Sequence, residues 1–198
     1  MRITGGNFRG RALVPPRDAK VRPTSDKVRQ AIFNLLDHAP ALAGFSLAGA
    51  RVVDFFAGTG ALGLEALSRG ASYCLFVDDS PESRALIREN VEAFGLTGAS
   101  KIWRRNAALP GRLDTLAPFD VAFLDPPYRQ ALIEPALKGL AAGDWLQPNA
   151  IAVVESDESE TLEPVEGYEL LDRRVYGDTA VMLLRFNGGQ TTAQYRSI

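Results

Sequence analysis

From residue 51 onward, two hydrophobic rhythms alternate along the chain. Short apolar runs of strand length (ARVVDFF, SYCLFVDD, KIWRR, FDVAFLD, AIAVVES) are separated by segments whose apolar residues recur at helical spacing. ALGLEALSRG reads as a helix closed by Gly70, a second helix opens at Ser80-Pro81 and runs to about Phe94, and a third covers 131–142. Strands alternating with helices predict a parallel sheet covered on both faces. The rhythm then changes. YELLDRRVYG and DTAVMLLRF read as two strands joined at Tyr176-Gly177-Asp178, a closing hairpin that sets an antiparallel strand in an otherwise parallel sheet. The expected class is α/β: a mostly parallel, seven-stranded, Rossmann-like sheet ending in an antiparallel hairpin.

Ahead of this core, the first twenty residues mix Gly, Pro and Arg with β-prone pieces around RITGG and GRALV, which predicts a small hairpin or extended arm. Arg22-Pro23-Thr24-Ser25 then sets up a helix, with Thr24 or Ser25 able to cap it and Asp26 favouring its first turn. Val28, Ala31, Ile32, Leu35 and Leu36 fall on one face, so this helix docks on the body, while Lys27 and Arg29 point elsewhere. His38 at its end is expected to be structural or solvent-facing. The acidic stretch from Glu155 to Asp172 reads as a solvated loop, although Glu155 follows a strand and could equally line a pocket. The division expected is a basic appendage (1–38), a catalytic domain (39–187) and a flexible tail (188–198).

Composition narrows the class. A chain of 198 residues with 46% hydrophobic side chains can bury a sizeable core, and no apolar run approaches the roughly 20 residues of a membrane span. The N-terminal MRITGGNFRGR has no apolar signal region, so the cytoplasm is the expected compartment; separately, a monomer is the expected state. The one cysteine, Cys74, reads as a small buried strand residue. The net charge of −2 hides an asymmetry: residues 1–30 carry eight Lys/Arg against two Asp. A basic head on an acidic body suits a polyanionic partner, and a solvated arm is the plainer alternative.

VVDFFAGTGALG satisfies G-x-G-x-x-G through Gly58, Gly60 and Gly63, yet Asp54 stands four residues ahead of the first glycine. A glycine-rich first turn lets a cofactor approach the backbone. A dinucleotide brings a pyrophosphate that Asp54 would repel, whereas a cofactor with a cationic amino-acid tail would welcome the acid. S-adenosylmethionine fits, with its ammonium, its sulfonium and no phosphate. Phe56 belongs to the same Asp-x-Phe-Ala-Gly-Thr-Gly loop. Asp78, or its neighbour Asp79, ends the second strand where ribose hydroxyls would lie. Asn106, beyond the third strand, could read the adenine edge or serve as an ordinary turn residue.

FLDPPY supplies the acceptor chemistry. Two prolines stop the ladder and fix the backbone, so the Asp125 carboxylate, the Pro126 carbonyl and the Tyr128 ring form a rigid set. Such a set suits a planar group bearing an exocyclic NH2: two acceptors take its hydrogens, the ring stacks on its face, and the negative charge favours the developing cation. This chemistry requires no metal ion.

Taken together, RITGGNFRGR, RPTSDKVRQAIFNLL, VVDFFAGTGALGLEALSRGA, FVDDS, FLDPPY and YGDTAVMLL resemble the bacterial 16S ribosomal RNA guanine-N2 methyltransferases, from Arg2 to Phe186. The resemblance implies a class I S-adenosylmethionine-dependent methyltransferase fold, with a small subunit, assembled or assembling, as substrate. It implies Asp54, Gly58 and Gly60 at the methionine end of the cofactor, Asp78 at the ribose, and Asp125, Pro126 and Tyr128 at the guanine. Two positions depart from the family pattern, which commonly has Glu at 78 and Asp at 106. The basic head gains a rationale, with Arg9, Arg11, Arg22, Lys27 and Arg29 as phosphate contacts that position the enzyme while the pocket chooses the base. The rivals are a DNA adenine-N6 or cytosine-N4 methyltransferase, and a non-catalytic rRNA-binding assembly factor that keeps a relict pocket.

Overall fold

Seven strands form one sheet in the order β3-β2-β1-β4-β5-β7-β6, in a computed structural model that describes residues 1–15 and 25–188. The elements run α1 (Asp26–His38), β1 (Arg51–Phe55), α2 (Ala61–Ser68), β2 (Tyr73–Val77), α3 (Pro81–Ala93), β3 (Ser100–Trp103), β4 (Phe119–Leu124), α4 (Ile133–Ala142), β5 (Leu146–Asp157), β6 (Tyr168–Tyr176) and β7 (Thr179–Phe186). The first five strands are parallel, and β7 enters antiparallel between β5 and β6. This is the doubly wound architecture that the alternating pattern predicts.

Strand side chains alternate between two cores. Val52, Phe76, Val121 and Phe123 pack with α1, α2 and α3 on one face; Val53, Leu75, Ala122 and Leu124 pack with α4 and Trp145 on the other. Cys74 is fully buried on the first face, where burial pushes its thiol up. Gly63 explains how closely α2 lies on β2. A Cβ there would sit 2.4 Å from Cε1 of Phe76 and 2.5 Å from Sγ of Cys74.

The N-terminal arm is a short hairpin, with Ile3 and Leu13 donating to the carbonyls of Arg11 and Met1 and a single bridge at Arg2–Ala12. It lies on α2. Gly5 and Gly6 make that contact possible, since a Cβ on Gly6 would meet the Ser68 carbonyl and one on Gly5 the Arg69 guanidinium. Ile3 and Leu13 join the same core as α1, whose inward face is Val28, Ile32, Phe33 and Leu36. Ser25 caps α1 by accepting from the Val28 N–H; Thr24 lies outside the described residues. His38 is exposed at the helix end.

Two expectations change. The acidic stretch is not one solvated loop: β5 runs on to Asp157 because it pairs with β7 as far as Thr179, and Glu155 and Ser156 are buried within that pairing. Glu155 is absent from the cavity described below. The fourth helix starts at Ile133, later than the apolar pattern suggests, because Arg129 and Ala131 both take left-handed φ values. Residues 189–198, most of the expected tail, lie outside the described residues.

Candidate active site

The chain runs from β1 outward through β2 and β3, then returns to β4 on the other side of β1, so the switch point lies at the carboxyl ends of β1 and β4. The pairs Phe55↔Val77 and Phe55↔Leu124 end the two ladders flanking β1. Phe56, Asp78 and Asp125 therefore follow side by side, on neighbouring strands spaced about 4.8 Å apart. A cavity of about 620 Å³ opens here, lined by Asp54, Phe56, Gly58, Asp78, Asp79, Asn106, Asp125, Pro126 and Tyr128. Nine of the sequence-derived cofactor and acceptor residues thus share one wall system. Gly60 does not line it but caps α2 with φ +77°.

Asp54 sits on the α2 side of β1, almost fully buried, and accepts from the Gly63 N–H at 2.9 Å. It therefore caps the third residue of α2 from a neighbouring strand and holds the glycine turn against the sheet. Burial pushes its carboxyl well above the ordinary range; the Gly63 N–H opposes that, and the nearby charges of Asp125 and Asp78 add to it. Phe56 has φ +57°, a left-handed value uncommon for a bulky side chain, two residues ahead of Gly58 at +55°.

Asp78 is committed through both oxygens. Oδ2 accepts from the Gly58 N–H and Oδ1 from the Ser80 N–H, each at 2.9 Å, tying the first turn to the second. Burial raises its pKa, backbone N–H groups and the Ser83 hydroxyl offset part of the rise, and Asp79 adds to it. Asp79 is exposed at the mouth. Asn106 holds its own turn, Oδ1 accepting from the Ala108 N–H at 2.9 Å, and lines the cavity as well.

Beyond β4, Pro126 is buried and Tyr128 half-buried. The Tyr128 hydroxyl lies 3.1 Å from the Thr179 hydroxyl at the start of β7. Arg129 follows, its backbone N–H donating to Glu160 and its guanidinium pairing with Asp157 at 3.0 Å. The loop that carries Tyr128 is thus held by the end of β5 and the β6–β7 turn. Sequence reading missed this link, together with Thr59, Ser83, Gln130 and Leu132 on the cavity wall. Ser83, one turn after the Ser80 cap, carried a signal. Thr179 carried none, because only strand register brings it to Tyr128.

Four aspartates line the cavity, and among the described residues that line it there is no Lys, Arg or His. Such a cavity opposes a pyrophosphate and favours a cationic ligand.

The basic candidates divide. Arg9 and Lys27 are exposed. Arg11 is exposed too, but its guanidinium donates to the Ala93 carbonyl and lies 4.2 Å from the Phe94 ring centroid. Arg22 lies outside the described residues. Arg29 is corrected: its side chain is fully buried, pairing with Asp26 at 2.8 Å and Glu65 at 3.3 Å and donating to the Arg2 carbonyl. It cannot reach a phosphate. Instead, Arg29 and Glu65 clamp the arm, since Glu65 also accepts from the Thr4 N–H and hydroxyl and pairs with Arg69. Among the described residues, no helix is long and apolar enough to cross a membrane.

A family model described as conserved hypothetical protein 95 matches residues 1–185. Ribosomal RNA small subunit methyltransferase D of Escherichia coli (strain K12) is 36% identical over 185 residues, 92% of this chain and 88% of that protein. YlbH of Bacillus subtilis (strain 168) is 33% identical over 191 residues, 95% of this chain and all of that one. The solved structure of yhhF from Escherichia coli superposes with a TM-score of 0.79 at 31% identity, covering 96% of this chain and 99% of that one.

Proposed function

The chain belongs to the conserved hypothetical protein 95 family, and on that premise we propose that it is an S-adenosylmethionine-dependent rRNA methyltransferase. Its target is the exocyclic N2 of a guanine in 16S rRNA, within an assembled or assembling small subunit. One observation carries the reading: the glycine loop, Asp54, Asp78 and Asp79, and the Asp125-Pro126-Pro127-Tyr128 segment line a single cavity, so methyl donor and amino acceptor would meet.

The cavity fits the donor by its charge. When bound, S-adenosylmethionine supplies an electrophilic methyl on a sulfonium. Asp54 and the Gly58 turn would hold the ammonium end, and Asp78 with exposed Asp79 the ribose hydroxyls. Asn106 keeps its amide NH2 and a second lone pair of Oδ1 for the adenine edge. On the acceptor side, the Asp125 carboxylate and the Pro126 carbonyl take the two amino hydrogens while Tyr128 stacks on the base. The guanine nitrogen is thereby held with its lone pair aimed at the methyl, and the charge that develops on it faces Asp125. With the donor bound, the amino nitrogen would take the methyl that the sulfonium releases, the bonding pair staying on sulfur, and Asp125 or water would accept the proton that the nitrogen then sheds.

Replacing Asp125 with Ala tests the assignment. Transfer of labelled methyl to unmodified small subunits should fall below detection while calorimetric binding of S-adenosylmethionine survives. Full transfer by that variant would refute the mechanism.

A further inference from the structure

Asn90, on α3, plays no part in the chemistry described above and is fully buried. Its side-chain amide is committed at both ends, and Nδ2 also makes a long contact of 3.5 Å to the Val14 carbonyl. Oδ1 accepts from the Val14 N–H of the arm at 2.8 Å, and Nδ2 donates to the Thr59 carbonyl at 3.1 Å. Thr59 stands between Gly58 and Gly60 and lines the cavity. One amide therefore joins the arm to the middle of the cofactor loop. The arm makes a second contact there, with the Thr59 hydroxyl 3.9 Å from the sulfur of Met1. Just past Val14, the sequence continues through Arg17, Lys20 and Arg22.

We propose that Asn90 is a positioning residue that couples cofactor binding to RNA binding. This rests on the reading of the protein as an rRNA methyltransferase with a basic arm. A buried amide satisfied at both ends loses one bond if either partner moves, and a buried polar group left unpaired is costly. Any ligand that fixes the Gly58–Gly60 turn therefore also favours the docked position of Val14. By linkage, RNA that holds the arm favours the cofactor-ready turn by the same factor. Loop and arm are in the same core, so the joint is rigid rather than tethered.

The test uses S-adenosylhomocysteine as the cofactor-site probe and unmodified small subunits as the RNA. In the wild type, the probe should slow hydrogen exchange at the Val14 amide at least about fivefold, and subunits should tighten probe binding about tenfold, within the range usual for such coupling. In Asn90→Ala, which keeps the cavity wall, both effects should shrink below about twofold. Val14→Pro removes the arm's N–H donor and leaves α3 intact, so, read through the effect of subunits on probe binding, it carries the test should Asn90→Ala fail to fold. A variant with undiminished coupling, or a wild type that methylates subunits without any coupling, overturns this inference alone. A wild type that neither binds the probe nor methylates subunits overturns the functional reading, and this inference with it.

Discussion

Replacing Gly63 with Ala measures how tightly the cofactor loop is pinned to the sheet. In an open helical position, this change stabilises by about 0.8–1 kcal/mol, because glycine loses more backbone entropy. At position 63, the new Cβ would lie 2.4 Å from Cε1 of Phe76 and 2.5 Å from Sγ of Cys74. Both neighbours are fully buried, so neither side chain can swing into solvent. Helix α2 must back away from β2, and overpacking of this kind costs about 1–3 kcal/mol. With the propensity gain deducted, a net loss of up to about 2 kcal/mol is expected, or up to roughly 4–8 °C in Tm for a chain of this size. Moving α2 also draws the Gly63 N–H away from Asp54, so affinity for S-adenosylmethionine falls with stability. Urea denaturation and calorimetric titration read the two effects. Gly98, where an added Cβ meets nothing within 4 Å, is the control, and Ala there should shift stability by less than about 0.5 kcal/mol. A Gly63→Ala protein that gains about 1 kcal/mol, as an open helix site would, and binds cofactor unchanged refutes the packing argument.

Further outcomes follow from the same geometry. Burial raises the Asp54 carboxyl in the folded state, so its contribution to stability is fully present below the unfolded value and is lost as pH rises through the folded one. Asp54→Asn should therefore flatten the fall in apo-protein Tm from acid toward neutral pH. It should also weaken S-adenosylmethionine binding about 10- to 100-fold, the worth of a charged hydrogen bond; an unchanged affinity would remove Asp54 from the site. Tyr128→Phe and Thr179→Val each delete one hydroxyl bond, and each should lower kcat about 2- to 10-fold. The double variant should be no worse than either single one, and Thr179→Ser should recover most of the loss; additive losses would mean that the two hydroxyls act separately. Arg29→Ala strips a buried partner from Glu65 and Asp26 and should cost about 3 kcal/mol or more of stability, without altering the salt dependence of subunit binding. Arg9→Ala with Arg11→Ala should instead flatten that dependence, by close to one unit of log–log slope per lost phosphate contact. An unchanged slope in the double variant would take both arginines out of the interface.

The sheet, its helices and its closing hairpin were legible because each rests on local signals: strand-length apolar runs, the Ser25 and Ser80 caps, and the Gly177 turn. The cavity wall was legible for a related reason. Asp54, Asp78 and Asp125 all end parallel strands, and the ends of parallel strands at a switch point must converge. What stayed hidden depends on side chains meeting across long sequence distances. Arg29 looks like its basic neighbours in sequence, and only Glu65, 36 residues on, reveals it as a buried ion-pair partner. Thr179 meets Tyr128 through the pairing of β5 with β7, and Asn90 meets Val14 across 76 residues. The length of β5 was misjudged because acidic composition argues for solvent, whereas pairing with β7 buries Glu155 and Ser156.

The most direct test of the central claim is to identify the nucleoside that receives the methyl. Labelled S-adenosylmethionine would be incubated with the protein and unmodified small subunits, with protein-free 16S rRNA and duplex DNA in parallel, and the products hydrolysed. The account predicts N2-methylguanosine, from the small subunits. Label recovered as N6-methyladenine or N4-methylcytosine in DNA, or no label in any of the three, would contradict it.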